Sequence, residues 1–315
     1  MNSFPYFSVV ISLYNKEKYI SDTLKSVLDQ TLKDFEVIIV NDGSTDNGLN
    51  IVQTFNDERI KIINQENQGV SVARNNGVKK AKGNFIVFLD ADDLLRKNHL
   101  ETLYNLKSDF NDAKIFCTSY CIKYSESSLK IAKFYGLDHN YRGYIYNYFK
   151  NSFLNEILRL GNSSIDKNIF KDNDVLFDTD MKSIQDTDLW VRLGLKYKMV
   201  IDTTSKTLIH LKEPNNLSEV FESNERLLFF NKYKRHELSN KYLKKYMDLN
   251  RFSVAWHFKL QRQHSTYRYI IKSIDFNNLN YKQKTLLKTP TFLLKVLQSL
   301  KTKLNKMGLY FTIYE

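Results

Sequence analysis

The first ~125 residues alternate between short apolar runs and segments with helical periodicity. Four runs rich in Val, Ile and Phe have the length of strands: FSVVISL at 7–13, EVIIVN at 36–41, RIKII at 59–63 and FIVFL at 85–89. Runs that are apolar on both sides are typical of strands covered on both faces, as in a parallel sheet. The segments between and after them predict helices over about 20–32, 46–55, 70–81 and 97–106. This order predicts an open, mostly parallel α/β sheet flanked by helices.

Polar side chains offer N-caps for the first two helices. Ser21 is the predicted N-cap of the first, and Ser44, Thr45 and Asp46 offer capping groups to the second. Residues ~115–150 are aromatic and rich in turns, which indicates antiparallel additions or loops. From ~218 onwards the pattern is mostly helical, so a helical C-terminal extension is predicted.

Polar clusters follow three of the four apolar runs. SLYN at 12–15 follows the first, NDGSTD at 41–46 the second and LDADD at 89–93 the fourth. Ligands of open α/β sheets bind in the crevice beyond the carboxyl ends of the strands. We therefore expect the three clusters to converge on one binding site.

Three carboxylates occupy four positions of the last cluster, at Asp90, Asp92 and Asp93. Crowded carboxylates are stabilised by a hard divalent cation, which prefers oxygen ligands. With no histidine nearby, the sequence predicts Mg²⁺ or Mn²⁺ bound by Asp90 and Asp92, with phosphate groups and water as the other ligands. The alternative is a solvated acidic turn at the start of the next helix.

A nucleoside diphosphate is the predicted partner of such a metal. The sequence contains neither of the familiar phosphate-binding loops, GxxxxGKS/T and GxGxxG. The pyrophosphate would then be neutralised by the metal and by side chains, with Arg74 as a candidate. Asp42, at the end of the second strand, is either an acceptor for a base N–H or a turn carboxylate.

Three stretches together resemble the family 2 glycosyltransferases of bacteria, which have the GT-A type (Rossmann-like) nucleotide-diphospho-sugar transferase fold. They are VVISLYNKEKYISDTLKSVLDQTLKDFEVIIVNDGSTD at 9–46, NQGVSVARNNGVKKAKGNFIVFLDADD at 67–93 and QDTDLWVRLG at 185–194. The first two cover most of residues 6–105. The third is similar to the acceptor-side motif of that family.

The resemblance implies a role for each matching residue. The nucleotide-sugar site would be lined by Ser12, Tyr14, Asp42, Ser44, Arg74, Asp90 and Asp92. Tyr14 and Asp42 would contact the nucleobase, whereas Asp90 and Asp92 would form the Asp-x-Asp element that meets the ribose and the metal. Asp186 would be the general base that deprotonates the acceptor hydroxyl.

This sequence departs from the family pattern at two positions. Ser12 stands where Pro is common, and Gln185 replaces the usual Glu before the base. The signature Gln-x-x-Arg-Trp of processive synthases is absent from the sequence, which favours transfer of a single sugar. One displacement inverts the anomeric carbon, so an α-linked donor would give a β-linked product.

Two of these assignments have alternatives from the residues themselves. Leu189, Leu193 and Trp190 predict a helix with an apolar face, which places Asp186 in its first turn. Asp186 is then either the base or a helix N-terminal carboxylate, the latter role being favoured for Asp188. His210 is a further candidate for contact with pyrophosphate or metal, and equally a histidine with a structural role.

The positive charge is concentrated in the C-terminal part of the chain. Residues 225–315 contain 19 Lys and Arg against 5 Asp and Glu, whereas the first 224 residues contain 28 against 30. Within TFLLKVLQSLKTKLNKMGL (291–309), apolar residues at helical spacing alternate with lysines, which is typical of a helix that binds an anionic membrane surface. The alternative is a helix whose apolar stripe packs on the protein. No RNA-binding motif occurs, so nucleic acid is not an expected partner.

From these observations we expect a GT-A catalytic domain over 1–217, with a nucleotide-sugar-binding half (1–110) and an acceptor-side half (111–217). A basic, mainly helical region over 218–315 would follow. The expected activity is transfer of one sugar from a UDP-sugar to a saccharide or lipid-linked saccharide of a bacterial capsule, O-antigen or lipooligosaccharide. Cys117 and Cys121 are predicted to be buried thiols, which is typical of a cytoplasmic protein. The protein itself is expected at the inner face of the cytoplasmic membrane. The alternatives are a sugar nucleotidyltransferase and an inactive carbohydrate- or nucleic-acid-binding module.

Overall fold

The computed structural model describes residues 4–125, 128–171, 176–210 and 223–306. Ten strands of this part form one sheet. Their bounds are β1 Phe7–Leu13, β2 Phe35–Asp42, β3 Ile60–Gln65, β4 Phe85–Asp90, β5 Leu94–Leu95, β6 Ile115–Ser125, β7 Ser128–Ile131, β8 Arg142–Tyr144, β9 Ser163–Asp166 and β10 Met199–His210.

Eleven helices of the described residues surround the sheet. They are α1 Ile20–Leu28, α2 Gly48–Gln53, α3 Val70–Lys80, α4 His99–Asp109, α5 Tyr148–Asn151, α6 Gln185–Lys196, α7 Ser223–Ser239, α8 Lys241–Leu260, α9 His264–Lys272, α10 Tyr281–Lys288 and α11 Thr291–Lys306. Short 3₁₀ turns lie at Lys167–Lys171 and Phe276–Asn278.

The sheet has a parallel half and a mixed half. Strand order is β3-β2-β1-β4-β9-β6-β10-β5, and the four N-terminal strands pair in parallel, as predicted. Strand β9 joins β4 to β6 with antiparallel pairing on both sides, and β10 runs parallel to β6. The predicted antiparallel additions are β7 on β6 and β8 on β10.

Alternate residues of the strands face two hydrophobic cores, one on each side of the sheet. Val9, Ile11 and Val37 pack with helices α1 and α4, whereas Val10 and Ile38 lie in the core on the opposite face. Because both faces are covered, the strands need no polar positions. This explains the continuous apolar runs in the sequence.

The second of these cores extends into the C-terminal helices. Trp190 of α6, Tyr233 of α7 and Phe252 of α8 belong to the same buried cluster as Val10. The predicted domain boundary at 217/218 falls in 211–222, outside the described residues, and it stays a prediction.

The N-cap predicted for α1 is wrong, and α2 begins two residues later than predicted. Helix α1 begins at Ile20 with Tyr19 as its N-cap, so Ser21 lies inside the first turn. Ile20 is buried in the core, and its amide already bonds to the Lys16 carbonyl, which starts the helix earlier. Helix α2 begins at Gly48 after Asn47, because Asp46 also binds the 15–17 loop through the amide of Glu17.

Among the described helices, none has both the length and the apolar character needed to cross a bilayer.

Candidate active site

A cavity of about 410 Å³ opens at the carboxyl ends of β1, β2 and β4. The strand ends deliver residues of all three polar clusters to it, and α6 closes it from the other side. Seven of the nine predicted site residues line this cavity: Ser12, Tyr14, Asp42, Arg74, Asp90, Asp92 and Asp186. It lies where ligands bind in open α/β sheets.

Asp42 organises the loop that forms one rim of the cavity. Its Oδ1 accepts from the Gln68 amide at 2.8 Å and from Gln65 Nε2 at 2.7 Å, and its Oδ2 accepts from the Gly69 amide at 2.9 Å. Gly69 has φ +91°, a conformation that favours glycine. A carboxylate has about four acceptor sites, so Asp42 has little remaining capacity for a base N–H.

Ser44 stands behind the cavity and joins two loops. Its Oγ accepts from the Asn15 amide at 3.3 Å, while Asn15 Oδ1 accepts from the Thr45 amide at 2.8 Å. Ser44 does not belong to the cavity lining, unlike Tyr14, whose side chain is 47% exposed. The structure thus gives Ser44 a positioning contact and leaves the Tyr14 ring open to a ligand.

Arg74 holds Asp90 in place. Arg74 Nη2 lies 2.8 Å from Asp90 Oδ1, and its guanidinium carbon lies 5.2 Å from the centre of the Phe177 ring. Arg74 Nη1 is buried and has no hydrogen-bond partner among the described residues. Since an unpaired buried donor costs free energy, Nη1 is a natural point of contact for an anionic ligand.

Asp92 is a buried carboxylate of the cavity. Burial, together with the nearby charge of Asp90, raises its pKa above the usual value, and the ammonium of Lys16 opposes this shift. Lys16 Nζ lies 2.6 Å from Asp92 Oδ2. The sequence analysis missed Lys16, although it directly follows the SLYN cluster.

The donor set fits a divalent cation. Asp90 and Asp92 both line the cavity, and burial together with the charge of Asp90 raises the pKa of Asp92. Within the described ranges no three His, Cys, Asp or Glu side chains form a ready metal site. Two carboxylates suffice for Mg²⁺ or Mn²⁺ when water and substrate phosphates complete the shell.

Helix α6 brings Asp186 to the cavity. Leu189, Trp190 and Leu193 are buried, as predicted, so the first turn of the helix projects towards the strand ends. Asp186 Oδ1 accepts from the Thr187 amide at 2.7 Å and the residue remains partly exposed to the cavity. Its geometry leaves the other carboxylate oxygen open to a ligand.

Asp188, two residues further on, is buried and structural. It lies 2.8 Å from Arg192 Nε and from Lys232 Nζ, and it accepts from the Tyr233 hydroxyl at 2.7 Å. These contacts tie α6 to α7. The two acidic residues of the motif are therefore divided between the cavity and the helix packing.

The cavity lining near Asp186 includes two residues that the sequence did not single out, Arg159 and Ser183. Gln185 also lines it, and its fully buried Oε1 has no partner among the described residues. Behind it, Glu156 accepts hydrogen bonds from Tyr148 and Tyr246, and burial raises its pKa. The loop 152–162 carries no motif, so only the folded chain could reveal Arg159 and Glu156.

His210 is the last residue of β10, and its side chain lies outside the described part of the structure. Its neighbour Ile209 lines the cavity. The role assigned to His210 stays a prediction.

With this geometry in view, comparison with known proteins identifies the family. The family model "Glycosyl transferase family 2" matches residues 8–171, more than half of the chain. The chain belongs to glycosyl transferase family 2. The match contains the first two resembling stretches and ends before the third, at 185–194.

Curated relatives and solved structures agree with this assignment. The putative glycosyltransferase EpsH of Bacillus subtilis is 40% identical over 113 residues, 35% of this chain and 33% of its own length. The putative teichuronic acid biosynthesis glycosyltransferase TuaG of the same species is 45% identical over 100 residues, 31% of this chain and 40% of its own length. The crystal structure of S. aureus TarS 1–349 in complex with UDP-GlcNAc is 19% identical, with a TM-score of 0.70, 97% of this chain and 93% of that chain being covered.

These comparisons confirm the predicted family and the predicted GT-A type fold. The chain spans less than half the length of the two curated relatives, and the likeness to TarS concerns the fold.

Proposed function

We propose that this chain is an inverting glycosyltransferase that moves one sugar from a nucleoside-diphosphate sugar to a hydroxyl of a saccharide or lipid-linked saccharide acceptor. The observation that carries the proposal is the convergence of Asp90, Asp92 and Asp186 on one cavity at the carboxyl edge of the sheet, in a chain of this family. The acceptor would belong to a bacterial surface polysaccharide, such as a capsule, an O-antigen or a lipooligosaccharide. The relation to a teichuronic acid biosynthesis protein supports that class.

The donor would lie along the wall formed by β1, β2 and β4. The half-exposed Tyr14 ring is suited to contact the nucleobase, because an aromatic face offers apolar area at a low entropic cost. Asp42 would act mainly by fixing the 67–69 rim through its two amide contacts, and Ser44 by fixing the loop that carries Tyr14. We favour UDP as the nucleotide, in line with the UDP-GlcNAc bound to the TarS neighbour.

Asp90 and Asp92 would hold Mn²⁺ or Mg²⁺ together with the donor phosphates. When bound, such a cation supplies Lewis-acid stabilisation of the charge on the leaving phosphate. Arg74 keeps Asp90 oriented, and its unpaired Nη1 would donate to the donor phosphates. Lys16, now bonded to Asp92, would pair with a phosphate once a cation takes its place.

Asp186 would accept the proton of the attacking hydroxyl. General-base assistance of this kind contributes ~10²–10⁴-fold to the rate. The acceptor hydroxyl would attack the anomeric carbon from the Asp186 side while the nucleoside diphosphate leaves from the opposite side. This single displacement inverts the configuration, so an α-linked donor gives a β-linked product. The neutral Gln185 stands where Glu is usual, and its unpaired Oε1 would accept a hydrogen bond from the acceptor.

Two other functions predict different products. A sugar nucleotidyltransferase would release pyrophosphate, and it would require a Gly-rich loop after β1. The sequence there is SLYNKEKY, which contains no glycine. A binding module would release nothing, and the presence of Asp90, Asp92 and Asp186 in one cavity argues against it.

We also propose that the protein binds the anionic inner face of the cytoplasmic membrane through α11. Leu294 anchors this helix by complete burial, while its outward face exposes five apolar side chains, named here the α11 apolar face. These are Phe292, Leu293, Val296, Leu297 and Leu300. Lys295, Lys301 and Lys303 are exposed on the same helix, so charge complementarity favours an anionic lipid surface.

The proposed activity is tested by incubating the protein with UDP-sugars and Mn²⁺ and measuring the UDP released. The wild type should release UDP slowly by hydrolysis, and faster with an acceptor. Asp92→Ala should abolish both, and Asp186→Asn should reduce the acceptor-dependent rate by ~10²–10⁴-fold while UDP binding is kept. Unchanged sugar transfer in Asp92→Ala, or an NMR coupling constant showing retention in the product, contradicts the proposal.

A further inference from the structure

Charged and polar residues line the cavity in two groups. In the first, each cation is paired with a carboxylate, Arg74 with Asp90 and Lys16 with Asp92. The second group consists of Arg159, Ser183, Gln185 and Asp186. No described carboxylate forms a salt bridge with Arg159, although the charges of Asp186 and Glu156 act on it. A guanidinium that lines a ligand cavity without a direct ion pair needs an explanation.

Arg159 is firmly positioned by the loop between α5 and β9. Its amide donates to Asn162 Oδ1 at 2.9 Å, and the Asn162 amide group in turn donates to the carbonyls of Thr118 and Ile157, each at 2.8 Å. The Arg159 guanidinium carbon lies 5.8 Å from the centre of the Tyr120 ring. Its Nε is buried and has no hydrogen-bond partner within the described ranges. The side chain is therefore held in place with an unused donor.

Neutralising Glu156 accounts for only part of the role of Arg159, because the charge of Arg159 lowers the pKa of Glu156 but burial outweighs this effect. The Glu156 carboxylate accepts hydrogen bonds from the hydroxyls of Tyr148 and Tyr246, and the raised pKa of Glu156, which burial causes, favours its neutral form. The pKa of Arg159 is itself raised, first by Tyr120 and then by Asp186, so the guanidinium stays charged. The charge is thus maintained beside Asp186.

We propose that Arg159 binds an oxyanion of the acceptor, a phosphate or a carboxylate, and so selects negatively charged acceptors. The inference rests on the proposed function, because it takes Asp186 as the residue that meets the acceptor hydroxyl. A planar guanidinium matches the two oxygens of a phosphate or carboxylate. Binding the anion at Arg159 would hold the neighbouring hydroxyl at Asp186, while the donor phosphates would remain at Asp90 and Asp92.

The test uses the full chain and simple anions as probes. Inorganic phosphate and glucuronate are titrated by calorimetry into protein saturated with UDP and Mn²⁺, for the wild type, Arg159→Gln, Arg159→Lys and Arg268→Gln. Arg268 is exposed on α9, so its variant controls for the loss of one positive charge. Arg159→Gln should weaken anion binding about 10–100-fold, the range for a charged hydrogen bond. Arg159→Lys should be intermediate, and Arg268→Gln should equal the wild type.

UDP affinity, measured in the same variants, shows whether Arg159 binds an acceptor anion or the donor phosphates. It should change less than twofold in Arg159→Gln. A large loss of UDP affinity with unchanged anion binding would assign Arg159 to the donor phosphates and overturn the proposal, as would a wild type that binds neither anion. If Arg159→Gln does not fold, weakened anion binding in Arg159→Lys supports the proposal, and wild-type affinity there contradicts it.

Failure of the proposed function has a different signature. In that case the wild type would not bind UDP at all. The anion titration is therefore repeated without UDP, where a difference between the wild type and Arg159→Gln still supports the site and equal binding still overturns it.

Discussion

At the scale of single residues, Asp92 shows a conflict between stability and function. Burial and the charge of Asp90 raise its pKa, even with the Lys16 ammonium beside it. The ionised form of Asp92 is therefore less stable in the folded chain than in the unfolded one. A residue that costs stability in the absence of a ligand is expected where a cation later binds.

We predict that Asp92→Asn raises the melting temperature in metal-free buffer at pH 7 by about 1–4 °C. Because the pKa of Asp92 is raised in the folded state, the wild type takes up a proton as the pH falls, and the difference should shrink towards pH 4. Thermal unfolding at several pH values measures this. Asp180→Asn, at an exposed carboxylate, is the control and should leave the melting temperature unchanged. A lower melting temperature for Asp92→Asn at pH 7 would contradict the argument.

Single residues also show where sequence reasoning stops. The location of Asp90, Asp92 and Asp186 at the cavity was predictable, because each belongs to a motif at a strand end or a helix start. Lys16 and Arg159 were not, because a lysine or arginine in a loop has no distinctive pattern. Their positions are decided by contacts with residues up to 76 positions away, such as that between Lys16 and Asp92.

At the scale of elements, the periodic patterns predicted which segments form helices and strands more accurately than where those elements begin and end. Helix α3 was expected over 70–81 and is found over Val70–Lys80. The N-cap of α1 was wrong because the buried Ile20 already bonds to the Lys16 carbonyl, and the start of α2 was wrong because Asp46 binds across a loop to the Glu17 amide. Capping signals depend on which partners the fold brings near, and a linear pattern does not contain that information.

Helix α6 carries two acidic residues with different proposed roles, Asp186 in catalysis and Asp188 in packing. We predict that Asp188→Asn destabilises the fold, because it removes the buried partner of Arg192, Lys232 and Tyr233. Loss of one partner of a buried ion pair costs roughly 3–5 kcal/mol, and the partial exposure of Lys232 should reduce this to about 2–3 kcal/mol. Urea unfolding with fluorescence detection measures the change.

The matched control stands two residues away. Asp186→Asn should change the free energy of unfolding by less than about 0.5 kcal/mol, since its carboxylate bonds only to the neighbouring Thr187 among the described contacts. It should lose acceptor-dependent transfer, whereas Asp188→Asn should keep measurable transfer at low temperature. If Asp186→Asn destabilised the fold and Asp188→Asn lost transfer, the roles of general base and packing residue would have been assigned to the wrong positions.

At the scale of the whole molecule, the catalytic crevice and the basic C-terminal part belong to one packed body. The buried cluster that contains Val10 of β1 also contains Phe252 and Phe258 of α8, on which α11 packs. The cavity would therefore have a fixed position relative to a surface on which α11 rests. The proposed use of an acceptor held in a membrane would require such a fixed arrangement.

We predict that vesicle binding depends on both parts of the α11 surface. Lys295→Gln with Lys301→Gln should weaken binding to vesicles containing anionic lipid about 30-fold, since each lysine near the surface contributes ~1 kcal/mol. Val296→Ser with Leu300→Ser should weaken binding as well, and this loss should persist at high salt because it comes from apolar contact. Sedimentation with vesicles of anionic and of purely zwitterionic lipid measures both effects.

The control for this experiment lies on α7. Leu228 and Leu238 are as exposed as the residues of the α11 apolar face, yet they belong to a different helix. Leu228→Ser with Leu238→Ser should therefore bind vesicles like the wild type. If this control loses as much binding as the α11 variants, attraction to lipid is a general property of exposed leucines here. If none of the variants changes binding, the helix serves only to cover α8, and the lysines face water.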